Sequence, residues 1–384
     1  MPEIKKTAGI ICEYNPFHNG HKYQIETTKK AAGCEYIVCA MSGSMVQRGD
    51  AAIYDKWTRC RAAIEGGADL VVELPAYYVL QSAQNFALGG VELLSKLGVV
   101  DILSFGSETG NIELLSKIAD IIYDEPPEFR SEIEAALAKG SGYPAAFQAA
   151  LSAAGGMTLE PNDILAVNYL SAIKKNGAKL TPFALKRTVP YHAEIASDGL
   201  NASATAIRSM IQSGKEISSY IPAEYTADTY DIKNIESLIL GFFRLCNPQK
   251  LKDIIGMEDG LENRLISCAR KAASLEEFIE TAVTKRYTYH RIRRVMFSCI
   301  MGITPGKHMD YVRVLGFNSK GRKLLSEIKA KSDLTIITKT AGFSPTADSM
   351  FEYDIKTTDI ASLCCSNKSK RKAGIDYITS PVII

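Results

Sequence analysis

The sequence lacks any uninterrupted apolar run close to the roughly 18–20 residues that a membrane-spanning helix needs. Its first residues form too short an apolar stretch for a signal peptide. Internal repeats and low-complexity tracts are also missing. These absences predict a cytoplasmic protein that has no membrane partner.

The nine cysteines include no C-x-x-C pair. Most of them lie within apolar segments, as Cys12, Cys39 and Cys299 do, which is typical of reduced and buried thiols. A zinc site and a disulfide framework are therefore not expected, and we predict no metal site built from protein side chains. The sequence also lacks a Cys/His or Ser/His/Asp arrangement that would indicate a nucleophilic side chain.

Ordinary globular composition, with 46% hydrophobic and 23% charged residues, argues against disordered, collagen-like and coiled-coil classes. A length of 384 residues suggests two domains. Charge is divided unevenly: residues 230–384 carry 25 Lys and Arg against 17 Asp and Glu, whereas residues 1–229 carry 20 against 26. The basic part is either a module that binds a polyanion or a part with a solvated basic face.

Short β-branched runs alternate with helical patterns from the N-terminus, as in "AGIICEY", "EYIVCAMS", "ADLVVELP" and "VDILSFGSE". Nearly continuous apolar strands with helix-length connections predict an α/β fold with a Rossmann-like, doubly wound parallel sheet. An Ala-rich helix is expected over about residues 131–154, a strand in "KLTPFALKR", and a mainly α-helical C-terminal domain. We place the two domains at residues 1–220 and 221–384.

The first strand leads into "EYNPFHNGHKYQ", where His18 and His21 stand three residues apart around Gly20 at a strand-to-helix turn. Residues i and i+3 in a first helical turn share one face, beside backbone N–H groups that form an anion site. Gly20 would let a phosphate approach the backbone. The pair would stabilise charge on a departing pyrophosphate. Equally, an isolated H-x-G-H could be two exposed or capping histidines.

A second phosphate motif lies in "SATAIRSM". Ser203 is a plausible N-cap, Thr205 lies in the first turn, and Arg208 follows one turn later. Hydroxyl groups and a guanidinium at a helix N-terminus would hold the outer phosphates of a nucleotide. The alternative is a capped surface helix.

Together these motifs resemble the HIGH-type nucleotidyltransferase superfamily, through H-x-G-H at His18 to His21 and [ST]-S-T-x-I-R at Ser203 to Arg208. Longer segments resemble the tRNA(Met) cytidine acetate ligase family: "GIICEYNPFHNGH", "MSGSMVQRGDAAIYDKWTRCRAAIEGGADLVVELP", "SFGSE", "PNDILAVNYL" and "KRTVPYH". The resemblance covers the whole N-terminal domain. One departure is Ala204, at the second Ser of the superfamily motif, which puts one hydroxyl contact to phosphate in question.

The resemblance implies an ATP-dependent ligase that activates acetate as acetyladenylate. It further implies acetyl transfer to the wobble cytidine of elongator tRNA(Met), with Mg²⁺ accompanying the triphosphate. His18, His21 and Arg208 would act on the transferring phosphate. Contacts to ATP are implied at Ile11, Asn15, Pro16, Phe17, Gly20, Gly106, Asn162, Arg187, Ser203 and Thr205.

Two of these positions also have simpler interpretations. Gly106 ends a predicted strand, where it allows close backbone approach or merely serves a turn. Asn162 precedes a helix and could be only its cap. Arg187 suits charge neutralisation near phosphates. Gln47 and Arg48, in the polar loop "QRGD", suit substrate contacts or a solvated turn.

The segment "KRYTYHRIRRVMF" carries basic residues interleaved with aromatic ones and has no acidic residue. Cations would neutralise phosphates and the tyrosines could stack on unpaired bases, so the segment suits RNA. The alternative is a solvated helix face whose tyrosines pack inward. The residues predicted to bind tRNA are Lys285, Arg286, Arg291, Arg293 and Arg294.

Two rival functions remain open at this point. An adenylyltransferase acting on a small phosphorylated metabolite explains the N-terminal motifs, but leaves the basic helical part without a role. A non-catalytic RNA-binding protein with a regulatory nucleotide site explains the charge, but not both transfer motifs. The sequence does not reveal the oligomeric state.

Overall fold

In the computed structural model, residues 6–155, 159–186, 202–222, 225 and 228–384 are described. The strands are β1 (Lys6–Cys12), β2 (Cys34–Ser42), β3 (Met45–Val46), β4 (Asp50–Ala51), β5 (Leu70–Leu74), β6 (Ile102–Ser107), β7 (Thr181–Lys186), β8 (Tyr311–Phe317), β9 (Thr335–Ile337) and β10 (Val382–Ile383). The helices of the first half are α1 (Asn19–Ala31), α2 (Lys56–Glu65), α3 (Ala76–Val79), α4 (Ala83–Lys96), α5 (Ile112–Asp124), α6 (Pro127–Ala138), α7 (Tyr143–Gly155), α8 (Pro161–Lys175) and α9 (Ala204–Gln212). Those that follow are α10 (Glu236–Leu245), α11 (Leu261–Lys271), α12 (Leu275–Ala282), α13 (Tyr289–Met301), α14 (Ser319–Lys331), α15 (Met350–Leu363) and α16 (Ile375–Ile378).

A central sheet has the strand order β10-β8-β5-β2-β1-β6-β7, with β9 paired to β8. The strands β5, β2, β1, β6 and β7 are parallel, and the hairpin β3–β4 stands apart. β2 and β5 are buried along almost their whole length, because helices cover both faces of the sheet. The predicted Rossmann-like α/β class is confirmed.

The carboxyl ends of β1 and β6 lie at the same end of this sheet, because the two strands are neighbours and run in the same direction. Each strand is followed by a helix, α1 after β1 and α5 after β6. In open parallel sheets the crevice outside these ends holds ligands. The fold therefore brings the segments after β1 and β6 to one place.

Strand β8 was not expected from the sequence, which predicts a mainly α-helical C-terminal domain and no particular strand in it. It pairs antiparallel with β5 and is buried along its length, and β10 pairs parallel with β8. The sheet is thus not confined to residues 1–220. The mainly helical character of the later part is confirmed by α10 to α15, while the domain boundary near residue 220 stays a prediction.

A buried ionic cluster ties this late strand to the first half of the chain. Lys56 on α2 pairs with Glu73 on β5 at 2.8 Å and with Asp376 on α16 at 2.9 Å. Arg313 on β8 pairs with the same Asp376 at 3.0 Å. All four side chains are buried. Because these charges compensate one another away from water, they link α2 and β5 to β8 and α16.

Local predictions were largely confirmed, with one error. The helix expected after the first strand is α1, and the strand in "KLTPFALKR" is β7. Ser203 caps α9 by accepting the N–H of Ala206 at 3.2 Å. The Ala-rich stretch, however, forms two helices, α6 and α7. Gly140, with φ +83°, lies between them in the left-handed region that ends helices.

Among the described residues no helix is long and apolar enough to cross a membrane. All nine cysteines are unpaired, and seven of them are buried. Cys12 and Cys246 are half-buried.

Candidate active site

Both predicted histidines stand where β1 passes to α1. His18 is the N-cap residue in extended conformation, and its Nδ1 accepts the Gly20 N–H at 3.1 Å. The His18 N–H in turn donates to Nδ1 of His21 at 3.3 Å. This reciprocal pattern is a capping box in which imidazoles take the places usually held by Ser or Thr and Glu or Gln.

The capping box determines which nitrogen of each histidine carries the proton. A nitrogen that accepts a backbone N–H cannot itself be protonated, so each neutral ring bears its proton on Nε2. The rings are stacked with centroids 3.7 Å apart. Each of the two stacked rings therefore has an Nδ1 acceptor and an Nε2–H donor, an arrangement suited to two donors acting on one phosphoryl group.

The backbone at this helix start differs from the sequence expectation of N–H groups open to a phosphate. The Asn19 N–H donates to Tyr220 O at 3.0 Å, and that of His21 to His18 O at 2.9 Å. A Cβ at Gly20 would lie 3.0 Å from Cε1 of His18. The glycine thus makes room for the His18 ring, and the imidazoles, not the N–H groups, are the donors of this turn.

Arg208 joins the two phosphate motifs. From α9 it donates through Nη1 to the carbonyl of Asn15 at 2.7 Å and through Nη2 to the hydroxyl of Thr205 at 3.0 Å. The guanidinium is thereby held beside the loop that carries the histidines. The structure brings together the motifs that the sequence placed almost 200 residues apart.

Four predicted ATP contacts lie in or beneath this loop. Asn15 is buried and its Oδ1 accepts the Ile53 N–H at 2.8 Å, so its side chain anchors the loop. The ring of Phe17 is fully buried, and its carbonyl accepts the Tyr225 hydroxyl at 2.9 Å. Ile11 and Pro16 are buried as well. We expect these residues to shape the loop through packing.

The segments "SFGSE" and "PND" interlock at the end of β6. Glu108 accepts the backbone and side-chain N–H groups of Asn162 at 3.2 and 2.5 Å, and the Asp163 N–H at 2.8 Å. Asp163, 1% exposed, accepts the N–H of Glu108 at 3.1 Å and the hydroxyl of Ser107. Glu108 thereby fixes Asn162 at the end of β6, and Asp163 fixes the backbone of Glu108.

Glu108 and Asp163 are functional candidates that sequence reasoning missed. Both stand inside quoted motifs, but only their neighbours Gly106 and Asn162 were selected. The signal was an acidic residue two positions after Gly106 and another directly after Asn162. Arg187, the remaining ATP candidate, lies outside the described residues and follows the last residue of β7.

The loop of Gln47 and Arg48 connects β3 to β4. The Gln47 N–H donates to Oε1 of Glu13 at 2.6 Å, and its side-chain amide to Gln81 O at 3.0 Å. Burial raises the pKa of Glu13, which directly follows β1. The structure therefore places this loop against the segment that leads to the histidines.

Helix α13 contacts the same loop. Arg293 donates through Nε to Gly49 O at 2.9 Å and pairs with Asp50 at 2.7 Å, while Arg294 donates to Gln47 O at 3.3 Å. Gly49 has φ +71°, and a Cβ there would lie 2.6 Å from the backbone nitrogen of Arg294. Only glycine permits so close a contact.

These contacts alter the interpretation of the predicted tRNA-binding arginines. Arg293 is 9% exposed, and burial lowers the pKa of Arg294 to about 10. Arg286 and Arg291 both pair with Glu258, Arg286 at 2.6 Å. Of the five predicted residues, the exposed ones are Lys285 and Arg286.

The interleaved tyrosines also pack against protein. Tyr287 is buried, with the guanidinium groups of Arg286 and Arg291 5.5 and 5.1 Å from its ring centre. The guanidinium group of Arg293 lies 5.5 Å from the ring centre of Tyr289. This arrangement therefore does not favour stacking of a base on Tyr287.

Metal ligands are a further element of such sites. Within the described ranges, no three His, Cys, Asp or Glu side chains lie together as a metal site. Mg²⁺ commonly binds through substrate phosphates and waters, with one or two carboxylates.

A parallel sheet with two joined phosphate motifs at its carboxyl edge defines a HIGH-type nucleotidyltransferase. The profile described as HIGH Nucleotidyl Transferase matches residues 5–376. More narrowly, the chain belongs to the tRNA(Met) cytidine acetate ligase family. The resemblance noted in the sequence is confirmed.

Relatives named tRNA(Met) cytidine acetate ligase match over nearly full length. That of Caldanaerobacter subterraneus subsp. tengcongensis is 39% identical, covering 94% of this chain and 96% of its own. That of Thermosipho africanus is 36% identical, covering 99% of both. The crystal structure of Thermotoga maritima TmcAL bound with alpha-thio ATP superposes with a TM-score of 0.88 at 30% identity, covering 99% of each chain.

Proposed function

We propose that this protein activates acetate with ATP and transfers the acetyl group to the wobble cytidine of elongator tRNA(Met). The observation that carries the proposal is the hydrogen bond from Arg208 to Asn15 O, which unites the histidine pair with the second phosphate motif. The relatives' names supply the substrates. The solved neighbour's bound alpha-thio ATP supports an ATP site.

In the first step, an acetate oxygen attacks the α-phosphorus of ATP. A bond forms between that oxygen and phosphorus, and the bond to the departing pyrophosphate breaks. The Nε2–H groups of His18 and His21 stabilise the charge that develops, while Arg208 holds the leaving group. Mg²⁺ bound to the triphosphate would screen its charge.

In the second step, the exocyclic amine of cytidine attacks the acetyl carbon. The new C–N bond replaces the bond to AMP, and the amine proton is lost to solvent or to the departing phosphate. Holding adenylate and amine together supplies much of the rate, because proximity replaces a bimolecular encounter. A nucleophilic side chain is not required.

We further propose a division of labour between residues 1–220, which activate acetate, and residues 221–384, which present tRNA. Because the sheet contains strands from both parts, this is a division of function and not of cores. A cytoplasmic location fits the proposed tRNA substrate.

The test is incubation of the purified chain with ATP, acetate and tRNA(Met). We expect acetate-dependent pyrophosphate release, a trappable acetyladenylate without tRNA, and N4-acetylcytidine with tRNA. Transfer of AMP to a phosphorylated metabolite instead of to acetate would establish the rival adenylyltransferase. RNA binding without pyrophosphate release would establish the non-catalytic binder.

A further inference from the structure

A second basic cluster lies in the C-terminal tail. Residues 366–374 contain four cations and no acidic residue. Lys368, Lys370 and Lys372 are exposed, whereas Arg371 donates through Nε to Cys365 O at 2.7 Å and so fixes the turn. Lys370 forms an ion pair of 2.6 Å with Asp228. Within the part of the chain that the structure describes, the other two lysines form none.

Backbone hydrogen bonds connect this cluster to the candidate ATP site. Cys365 pairs with Tyr230 in an isolated bridge, and the Tyr230 N–H donates to Ile53 O at 3.0 Å. The N–H of Ile53 in turn donates to Asn15 in the histidine loop at 2.8 Å. The basic tail is therefore held a few hydrogen-bonded steps from the reacting groups.

A cavity of about 560 Å³ lies beside the same connection. Its lining includes Tyr54, Tyr225 and Lys215. The two tyrosine rings stack with centroids 4.4 Å apart, and Tyr225 donates to Phe17 O next to His18. Asp228, the partner of Lys370, follows Tyr225 by three residues, which limits their Cα separation to about 11 Å. Cavity and basic tail are therefore neighbours.

We propose that Lys368, Lys370 and Lys372 form an RNA phosphate-binding surface, and that the cavity at Tyr54 and Tyr225 receives a base next to the reacting cytidine. This inference rests on the proposed function. Residues 1–229 have an excess of acidic over basic residues, so an RNA strand approaching the histidines needs local cations. The tail supplies them, whereas Arg291 and Arg293 of α13 already pair with Glu258 and Asp50.

The test uses the full chain and in vitro transcribed elongator tRNA(Met). The variant Lys368→Ala/Lys370→Ala/Lys372→Ala is compared with Lys174→Ala/Lys175→Ala/Lys179→Ala. Each triple variant removes three exposed lysines and one ion pair, that of Lys370 or that of Lys174. The control lysines precede β7 and therefore lie at the amino ends of the parallel strands. The histidines follow β1 and lie at the carboxyl ends.

We expect the tail variant to bind tRNA more weakly, with a log–log salt slope shallower by roughly 0.7–0.9 for each lost phosphate contact. Acetyladenylate formation without tRNA should equal that of the wild type, and the control should keep the wild-type slope. A wild-type slope in the tail variant, or an equal loss in the control, would overturn the proposal. Failure of the wild type to form acetyladenylate would instead refute the proposed function.

The cavity is tested separately with Tyr225→Phe and Tyr225→Leu. The first keeps the ring and the second removes it. We expect tRNA acetylation, normalised to acetyladenylate formation, to fall at least tenfold in Tyr225→Leu only. Equal normalised rates in the two variants would exclude base stacking at this position.

Discussion

Arg293 and Asp50 form an ion pair of 2.7 Å that joins α13 to the hairpin β3–β4. The same guanidinium donates a hydrogen bond to Gly49 O at 2.9 Å, so one side chain fixes the loop that contains Gln47 and Arg48. That loop donates to Glu13 at the end of β1. A residue that the sequence assigned to tRNA therefore supports the candidate active site.

Replacing Arg293 by Ala should impair acetate activation more than tRNA binding. Loss of its charged hydrogen bonds should destabilise the fold by about 2 kcal/mol and loosen the loop. Urea unfolding and the rate of acetyladenylate formation would measure this. The exposed Arg286→Ala is the control, and a shallower tRNA salt slope in Arg293→Ala than in this control would contradict the supporting role.

His21→Gln separates capping from catalysis. Gln is a usual capping-box residue at this position, so the helix start should be preserved, but the Nε2–H donor is lost. We expect unchanged thermal stability and a fall in acetyladenylate formation of ~10²–10³. His21→Ala should lose the same activity and in addition about 1 kcal/mol of stability. Near wild-type turnover in His21→Gln would remove this donor from the mechanism.

Glu108→Gln should weaken ATP binding. The carboxylate accepts three N–H groups from Asn162 and Asp163, and an amide leaves fewer acceptor sites for them. Loss of one charged hydrogen bond predicts a KM for ATP about tenfold higher, with a smaller change in kcat. Steady-state pyrophosphate release would measure both constants. Glu113→Gln, at an exposed position of α5, is the matched control, and an equal shift in both variants would argue against positioning of Asn162.

The parallel part of the fold followed from local patterns. Strands such as β2 and β5 are short apolar runs bounded by helices, and their apolar composition indicates burial on both faces. β8 was not recognised because its partner β5 lies about 240 residues earlier. Nothing local distinguishes "YVRVLGF" as the strand that extends this sheet, since its pairing is decided by tertiary contacts.

The site was predictable to the extent that its residues form compact motifs. His18, His21 and Arg208 were selected from spacing and resemblance, and the structure brings them together. Burial of Arg293 could not be foreseen, because its partner Asp50 lies on the distant strand β4. Charge composition reports how many cations a segment carries, but not which of them already have acidic partners.

The final prediction concerns Asp376, which faces Lys56 and Arg313 in the buried cluster and shares Lys56 with Glu73. Burial alone would raise the pKa of Asp376, but Lys56 and Arg313 outweigh this effect and hold it below its usual value. A carboxyl group whose pKa is lowered by folding stabilises the protein above its unfolded pKa of roughly 4. That stabilisation is lost as the pH falls further.

Asp376→Asn should therefore reduce the free energy of unfolding by about 3–5 kcal/mol at pH 7, because two buried cations lose their shared anion. The difference from the wild type should stay constant from pH 7 to about pH 5. It should shrink below roughly pH 4, where the carboxylate of the unfolded wild type begins to be protonated. Urea unfolding at stepped pH measures it, with Asp333→Asn at an exposed position as the control. A difference that grows as the pH falls from 7 to 5 would mean that burial, and not the two cations, dominates the pKa of Asp376 and raises it.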